Sequence, residues 1–379
     1  MKKFIAIALV AVLALAACTK TNPEEKKSDA ISFLVAGYMT KAQQGNNFLA
    51  ECPNFFTNAW YYPASGDAQN YMANVEILPD DTDNPTQWAP AEPYYWPKSG
   101  KLNFFSYASV NALGNEINLG NNETVQGSKI TITNHVVVAD DNIMVADAVY
   151  NASRTSHNAD GTMVTDDLKT GTTDSQFKGV PTFFRHLLAQ VEFNIGLKTA
   201  NPTVGTTNYI ATVTDAKVEK VANKGTLTLT AGAASGNDLQ TKEWSPASDG
   251  TQVGWVASTA AADVTTLALA NSTALELEAG ETEGNIENFL EFTSVLPQAL
   301  SDDVVLTIKY DLQTLHGTTA YITEKDLVVT AKLNAATIKS WCMNKRYVYN
   351  ITIDPVTELI TFDPAVADWT YADATAIAL

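Results

Sequence analysis

Four histidines, three cysteines and clusters of acids and aromatic rings are the groups with chemistry to offer in this 379-residue sequence. His135, His157, His186 and His316 each stand alone. None lies in a His-Glu-x-x-His helix, and no Gly-x-Ser-x-Gly elbow or glycine-rich nucleotide loop occurs. A zinc site would need these histidines to converge from distant strands. A lone histidine among apolar neighbours is more simply structural. His186, within Phe183-Phe184-Arg185-His186-Leu187-Leu188, is expected to be buried with a local hydrogen bond. Asp80-Asp81-Thr82-Asp83-Asn84 offers oxygens to calcium but lacks the loop glycine and distal glutamate of the helix-loop-helix pattern, so it reads as a solvated turn. Asp140-Asp141 reads as a hairpin turn. No catalytic residue, metal or cofactor is assigned, and the sequence does not read as an enzyme.

The aromatic residues carry two readings. Trp88, Tyr94 and Trp96 are candidate ligand aromatics, because ring faces with polar tips suit sugars. The same rings suit a core, since adjacent residues of Leu102–Tyr107 point to opposite faces of a sheet. An exposed row would favour a monomeric surface lipoprotein that binds glycan or a host ligand. Buried rings would favour a structural role.

The elements that must position these groups are strands. From Ile31 onward short apolar runs alternate with polar residues and are separated by Gly, Asn, Asp and Pro. The expected strands are Ile31–Val35, Ala73–Leu78, Leu102–Ala108, Ile130–Val138 and Ile143–Ala148 before a polar stretch, Ser153–Gly179. After it come Val191–Ile195, Tyr209–Val221, Thr226–Thr230, Ala274–Glu278, Phe289–Val295, Val304–Leu312, Leu327–Leu333, Tyr347–Ile353 and Leu359–Phe362. Phe183–Gln190 is expected to make two helical turns. Many closely spaced strands without regular helix alternation predict an all-β fold of mostly antiparallel, sandwich-like sheets in two halves. The expected division is residues 30–178 and 179–379.

Lys2 and Lys3 precede an apolar run, Phe4–Ala17, too short to span a bilayer and shaped like a secretory signal. Leu15-Ala16-Ala17-Cys18 resembles the bacterial lipobox, so residues 1–17 are expected to be removed and Cys18 to carry lipid, palmitate included. Thr19 resembles outer-membrane sorting, and residues 18–29 read as a tether. Removing Lys2 and Lys3 takes the formal charge from −18 to −20. This acidic balance excludes nucleic acid as a partner, which needs a basic footprint. A chain 45% hydrophobic and only 17% charged is also no disordered polyanion. With Cys18 lipidated, Cys52 and Cys342 remain, either as packing residues or as a disulfide.

Several landmarks together carry a resemblance. They are Tyr94–Tyr107, Asp141–Ala146, Phe184–Ile195, Leu296-Pro297-Gln298 with Val304–Tyr310, and the close Trp341, Lys345, Tyr347, Tyr349, Ile360 and Val366-Ala367-Asp368-Trp369. Their order over most of the chain resembles the fimbrillin family of Bacteroides-type bacteria, including the minor-fimbrillin subgroup. The resemblance implies two tandem transthyretin-like β-sandwich domains, exported as a lipoprotein anchored through Cys18 to outer-membrane lipid. It implies assembly into adhesive fimbriae at the cell surface, with other fimbrial subunits and a host or bacterial surface receptor as partners. It further implies that proteolysis removes the first strand, here Ile31, Phe33 and Val35, and that a neighbour's strand fills the groove. The tail, with Ala374, Ile377 and Leu379, is the implied donor. The family's best-known members are cut after arginine, whereas the first arginine here is Arg154. Cleavage would then need another enzyme acting at Lys26, Lys27 or Lys41, or none occurs, and stalk, tip and anchor roles all stay open.

Overall fold

The computed structural model describes residues 30–369 apart from 38–47, 50–51, 83–84, 86, 115, 120–128, 154–178, 199–206, 233–238, 246–253, 270–274, 279–285, 317–318, 336, 355–356 and 358. The chain opens with β1 (Phe33–Gly37), β2 (Phe55–Tyr62), β3 (Gln69–Pro79), β4 (Trp88–Pro90) and β5 (Lys101–Ser109). Next come β6 (Ile117–Leu119), β7 (Lys129–Val136), β8 (Ile143–Ala146), β9 (Ala148–Ala152) and β10 (Val180–His186). The middle holds β11 (Ala189–Leu197), β12 (Thr207–Ala222), β13 (Lys224–Ala231), β14 (Gln240–Lys242), β15 (Trp244–Ser245), β16 (Trp255–Ala257), β17 (Val264–Ala268) and β18 (Leu275–Glu278). The last are β19 (Ile286–Val295), β20 (Gln298–Ala299), β21 (Val305–His316), β22 (Thr319–Lys332), β23 (Ser340–Trp341), β24 (Lys345–Asp354) and β25 (Leu359–Asp368). Among the described residues helix is confined to 48–49 and two short 3-10 turns.

The fold is all-β and mostly antiparallel, as expected, but the N-terminal half departs from an open sandwich. Its strands run in the order β5-β2-β3-β4-β1-β10-β8, and β8 pairs back onto β5, closing a ring of seven. Closure follows from burial on both strand faces. On β5, Leu102, Phe104 and Ala108 point into the ring, whereas Phe105 and Tyr107 point out into a second core. β8 divides the same way, Met144 and Ala146 inward, Ile143 and Val145 outward. A strand apolar on both faces is stable only with a packed layer on each side. The outer layer is a sheet of β15, β13, β7 and β6, in which β7 from before residue 179 pairs with β13 from after it. β14 likewise pairs with β9.

The C-terminal core lies between two sheets, β19-β11-β24-β25 and β17-β12-β21-β22. Val191, Phe193 and Ile195 alternate inward along β11 and meet Tyr349 and Ile351 of β24, with Phe193 stacked on Tyr349 at 4.8 Å. Val213 and Val218 of β12 and Ile308 and Tyr310 of β21 face them from the second sheet.

The helix expected over Phe183–Gln190 is not formed. Those residues end β10, bend at Leu187-Leu188 and begin β11. Residues 184–189 are all buried, Arg185 and His186 included, and a stretch buried on every side has no period to separate strand from helix.

Candidate functional site

The candidate site is the seat of β1, which among the described residues is the one strand closing the gap between β4 and β10. Its backbone pairs in parallel with β10 over five positions, Phe33 opposite Val180 through Gly37 opposite Phe184. On the other side it meets β4 once, Phe33 opposite Trp88. Ile31 N–H donates to Tyr94 O at 2.7 Å, and Val180 N–H donates to Ser32 O at 2.8 Å. An isolated bridge joins Ala30 to Tyr95.

Period-two alternation sends Ile31, Phe33 and Val35 into the ring at 1%, 0% and 2% exposure. The Phe33 ring meets Phe55 and Phe104 edge-on at 5.5 and 5.6 Å. Burying three such side chains contributes roughly 5–9 kcal/mol in area terms. Gly179 fits tightly beneath: at φ +100° a Cβ there would stand 2.8–2.9 Å from Ser32 O and the Phe33 backbone. Phe48 stacks on Phe184 at 4.5 Å and meets Trp88 edge-on at 5.3 Å, completing the wall. The sequence marked the three inward residues of β1; it did not mark Gly179, Phe48 or Phe55. Gly179, standing between a polar stretch and an apolar run, was the signal available for the first of these.

The sequence-derived aromatics are not an exposed platform. Trp88 is 1% and Trp96 5% exposed, the latter edge-on to Phe104 at 5.9 Å. Tyr94 is half-buried against Tyr71 at 6.0 Å. The ring interior needs large apolar volume, and these side chains supply it. Cys52 and Cys342 are both buried and not joined to each other, so the disulfide left open by the sequence is not formed. Cys18, Lys26, Lys27, Lys41, Ala374, Ile377 and Leu379 lie outside the described residues, as do Asp83, Asn84 and His157. Among the described residues no three His, Cys, Asp or Glu side chains converge on a metal position.

A family model described as fimbrillin-like matches residues 40–369. The chain belongs to the fimbrillin-like family. No curated protein matches it. Among solved structures this fimbrillin-like chain is similar to a fimbrial protein from Bacteroides vulgatus, at 16% identity, with 90% of this chain and 100% of the other covered and a TM-score of 0.48. It is similar to the fimbrial anchor protein Mfa2 from Porphyromonas gingivalis at 10% identity, covering 90% and 98%, with a TM-score of 0.28. For the tip fimbrial protein Mfa3 from the same organism, C-terminally truncated, the figures are 9%, 89% and 99%, and 0.32.

Several landmark segments of this fimbrillin-like chain meet one another through polar and ring contacts. Asn142 Oδ1 lies 2.8 Å from His186 Nδ1, and the His186 ring stacks on Trp369 at 4.0 Å, 4° from parallel. Burial first, and then nearby Arg346, hold His186 well below the usual imidazole pKa, so it is neutral. Asn344 accepts from His186 N–H at 3.3 Å and donates its own N–H to Leu188 O at 3.0 Å. Gln298 brackets Ala222, donating to its carbonyl at 2.9 Å and accepting from its N–H at 3.1 Å. Ser294 donates its hydroxyl to Asp141 O at 2.5 Å. The Asp141 carboxylate faces His135 Nε2 at 2.5 Å, while Glu116 reaches His135 Nδ1 at 2.7 Å.

Burial alone would lower the His135 pKa, but Asp141 and Glu116 together raise it above 6.5. Only the imidazolium donates from both nitrogens. Because the folded pKa is the higher one, this contribution is full below the unfolded value of about 6.5 and is lost as pH rises through the folded pKa. His135→Gln should therefore lose most stability against the native chain below the unfolded pKa of about 6.5 and progressively less as pH rises through the folded pKa, as urea titrations across that range would show. Constant destabilisation at every pH would contradict the pairing. Gly179→Ala should loosen β1 selectively: Phe33 and Leu34 amides should exchange with solvent faster while those of β24 stay protected. Unchanged exchange at β1 would show that the close approach does not matter.

Proposed function

We propose that the chain is a structural, non-catalytic subunit of cell-surface fimbriae that supports adhesion and assembles by strand replacement at the seat of β1. Family membership supports the fimbrial role, and the observation that carries the mechanism is the single short strand bridging β4 and β10. When it leaves, two backbone edges and an apolar, aromatic-walled groove need a new occupant. On this reading the chain is exported as a lipoprotein, its Cys18 acylated in the outer membrane and residues 18–29 acting as tether. Cleavage at Lys41 would free β1, whereas cleavage at Lys26 or Lys27 would leave it seated. The two transthyretin-like domains expected as residues 30–178 and 179–379 would share strands across that division, with β10, β13 and β14 pairing into the first, and the segment with Ala374, Ile377 and Leu379 would be offered to a neighbour. A retained lipid suits an anchor, and a shed leader suits a stalk or tip subunit. Burial of Trp88 and Trp96 leaves the glycan-binding alternative without its exposed row.

Protein recovered from the producing cell surface tests this reading by mass spectrometry of its N-terminus and electrophoresis without boiling. An N-terminus beyond Gly37 with a heat-sensitive ladder is the expected result. Monomers alone, each still carrying β1 and an acylated Cys18, would contradict strand replacement.

A further inference from the structure

The side chains of β1 record what its seat accepts. Three inward positions hold a medium aliphatic side chain, an aromatic ring and a β-branched side chain, none more than 2% exposed. The central position is the most constrained. Phe33 alone reaches both Phe55 and Phe104 edge-on, and Gly179 lies against the backbone at that same residue. An occupant that slides by two residues takes its central ring out of that place, so register and ring are selected together.

The segment Thr370–Leu379 provides a comparison within the same chain. On one strand face it carries Ala372, Ala374, Ala376 and Ala378, which would leave cavities at all three positions. The other face carries Tyr371, Asp373, Thr375, Ile377 and Leu379. Placing Tyr371 in the position of Phe33 puts the Asp373 carboxylate into the apolar interior where Val35 sits. Placing Ile377 there instead avoids a buried charge but sets Thr375 in the place of Ile31 and brings no ring.

We infer, resting on the strand-replacement reading, that the seat of β1 takes a strand with an aromatic residue at its centre from a different protein, and that Thr370–Leu379 of a second copy is not that strand. The chain is then a heterotypic link: the alanine-rich face of Thr370–Leu379 suits a shallower groove than this one, and the seat of β1 takes a bulkier strand.

The test uses the whole chain with a site-specific protease sequence inserted after Lys41, cut so that β1 is no longer tethered. Three labelled peptides are then offered in excess: a copy of Ala30–Gly37, the same copy with Phe33→Ala, and Thr370–Leu379. Retention is read by native mass spectrometry and dissociation rate. The copy should replace β1, the Phe33→Ala copy should bind roughly 100-fold more weakly, and Thr370–Leu379 roughly tenfold more weakly or worse. Equal retention of Thr370–Leu379 and the copy would overturn the selectivity while leaving strand replacement intact. If even the copy fails to enter, strand replacement itself fails and the inference falls with it.

Discussion

A closed ring of strands needs every edge paired, and between β4 and β10 that pairing is made, among the described residues, by β1 alone. The same five residues supply the Phe33 ring around which Phe55 and Phe104 pack. Backbone pairing and core filling are thus concentrated in one short segment joined to the remainder by residues 38–54. Losing it would expose unpaired N–H and C=O groups beside an apolar cavity, two penalties at once. A strand with so much resting on it, and so little chain holding it, is suited to exchange.

The rest of the molecule is held differently. The C-terminal core is enclosed by two sheets with ten-residue and longer strands, and its stability is spread over many aliphatic contacts. The junction is polar and specific. Asp141, Asn142, Ser294, Gln298, Asn344 and Trp369 bind backbone or ring partners far from them in sequence. Arg185 adds a buried pair with Asp147 at 2.9 and 3.3 Å. Such contacts determine how the halves meet more than how strongly each folds, because hydrogen bonds are directional and net to little energy.

Much of this was legible in the residues, and the failures have physical reasons. The positions of β1, β5, β8, β11 and β24 were legible within a few residues: β1 and β11 alternate between buried and half-buried residues, whereas β5 and β8 stand out as short apolar runs bounded by turn residues. The pattern misled at Phe183–Gln190, where burial of both faces erases the period. It also missed β2, whose aromatic and polar residues pair between β3 and β5. Ring closure was not legible, since it depends on β8 pairing with β5 as well as β10, a contact between residues far apart in sequence. The inward residues Ile31, Phe33 and Val35 could be chosen by alternation, but Gly179 acquires its role only when the backbone of Phe33 is set against it. The aromatic cluster was correctly open to two readings, because ring type alone does not say which side of a sheet faces water.

The central claim is that β1 is both the closing element of the ring and replaceable in it. Urea unfolding of the chain beginning at Tyr38, with and without an added Ala30–Gly37 peptide, tests both parts. The account predicts a loss of roughly 5–9 kcal/mol in the N-terminal half, with that half's transition restored by the peptide and the C-terminal transition unmoved. A shortened chain as stable as the full one, and indifferent to the peptide, would contradict it.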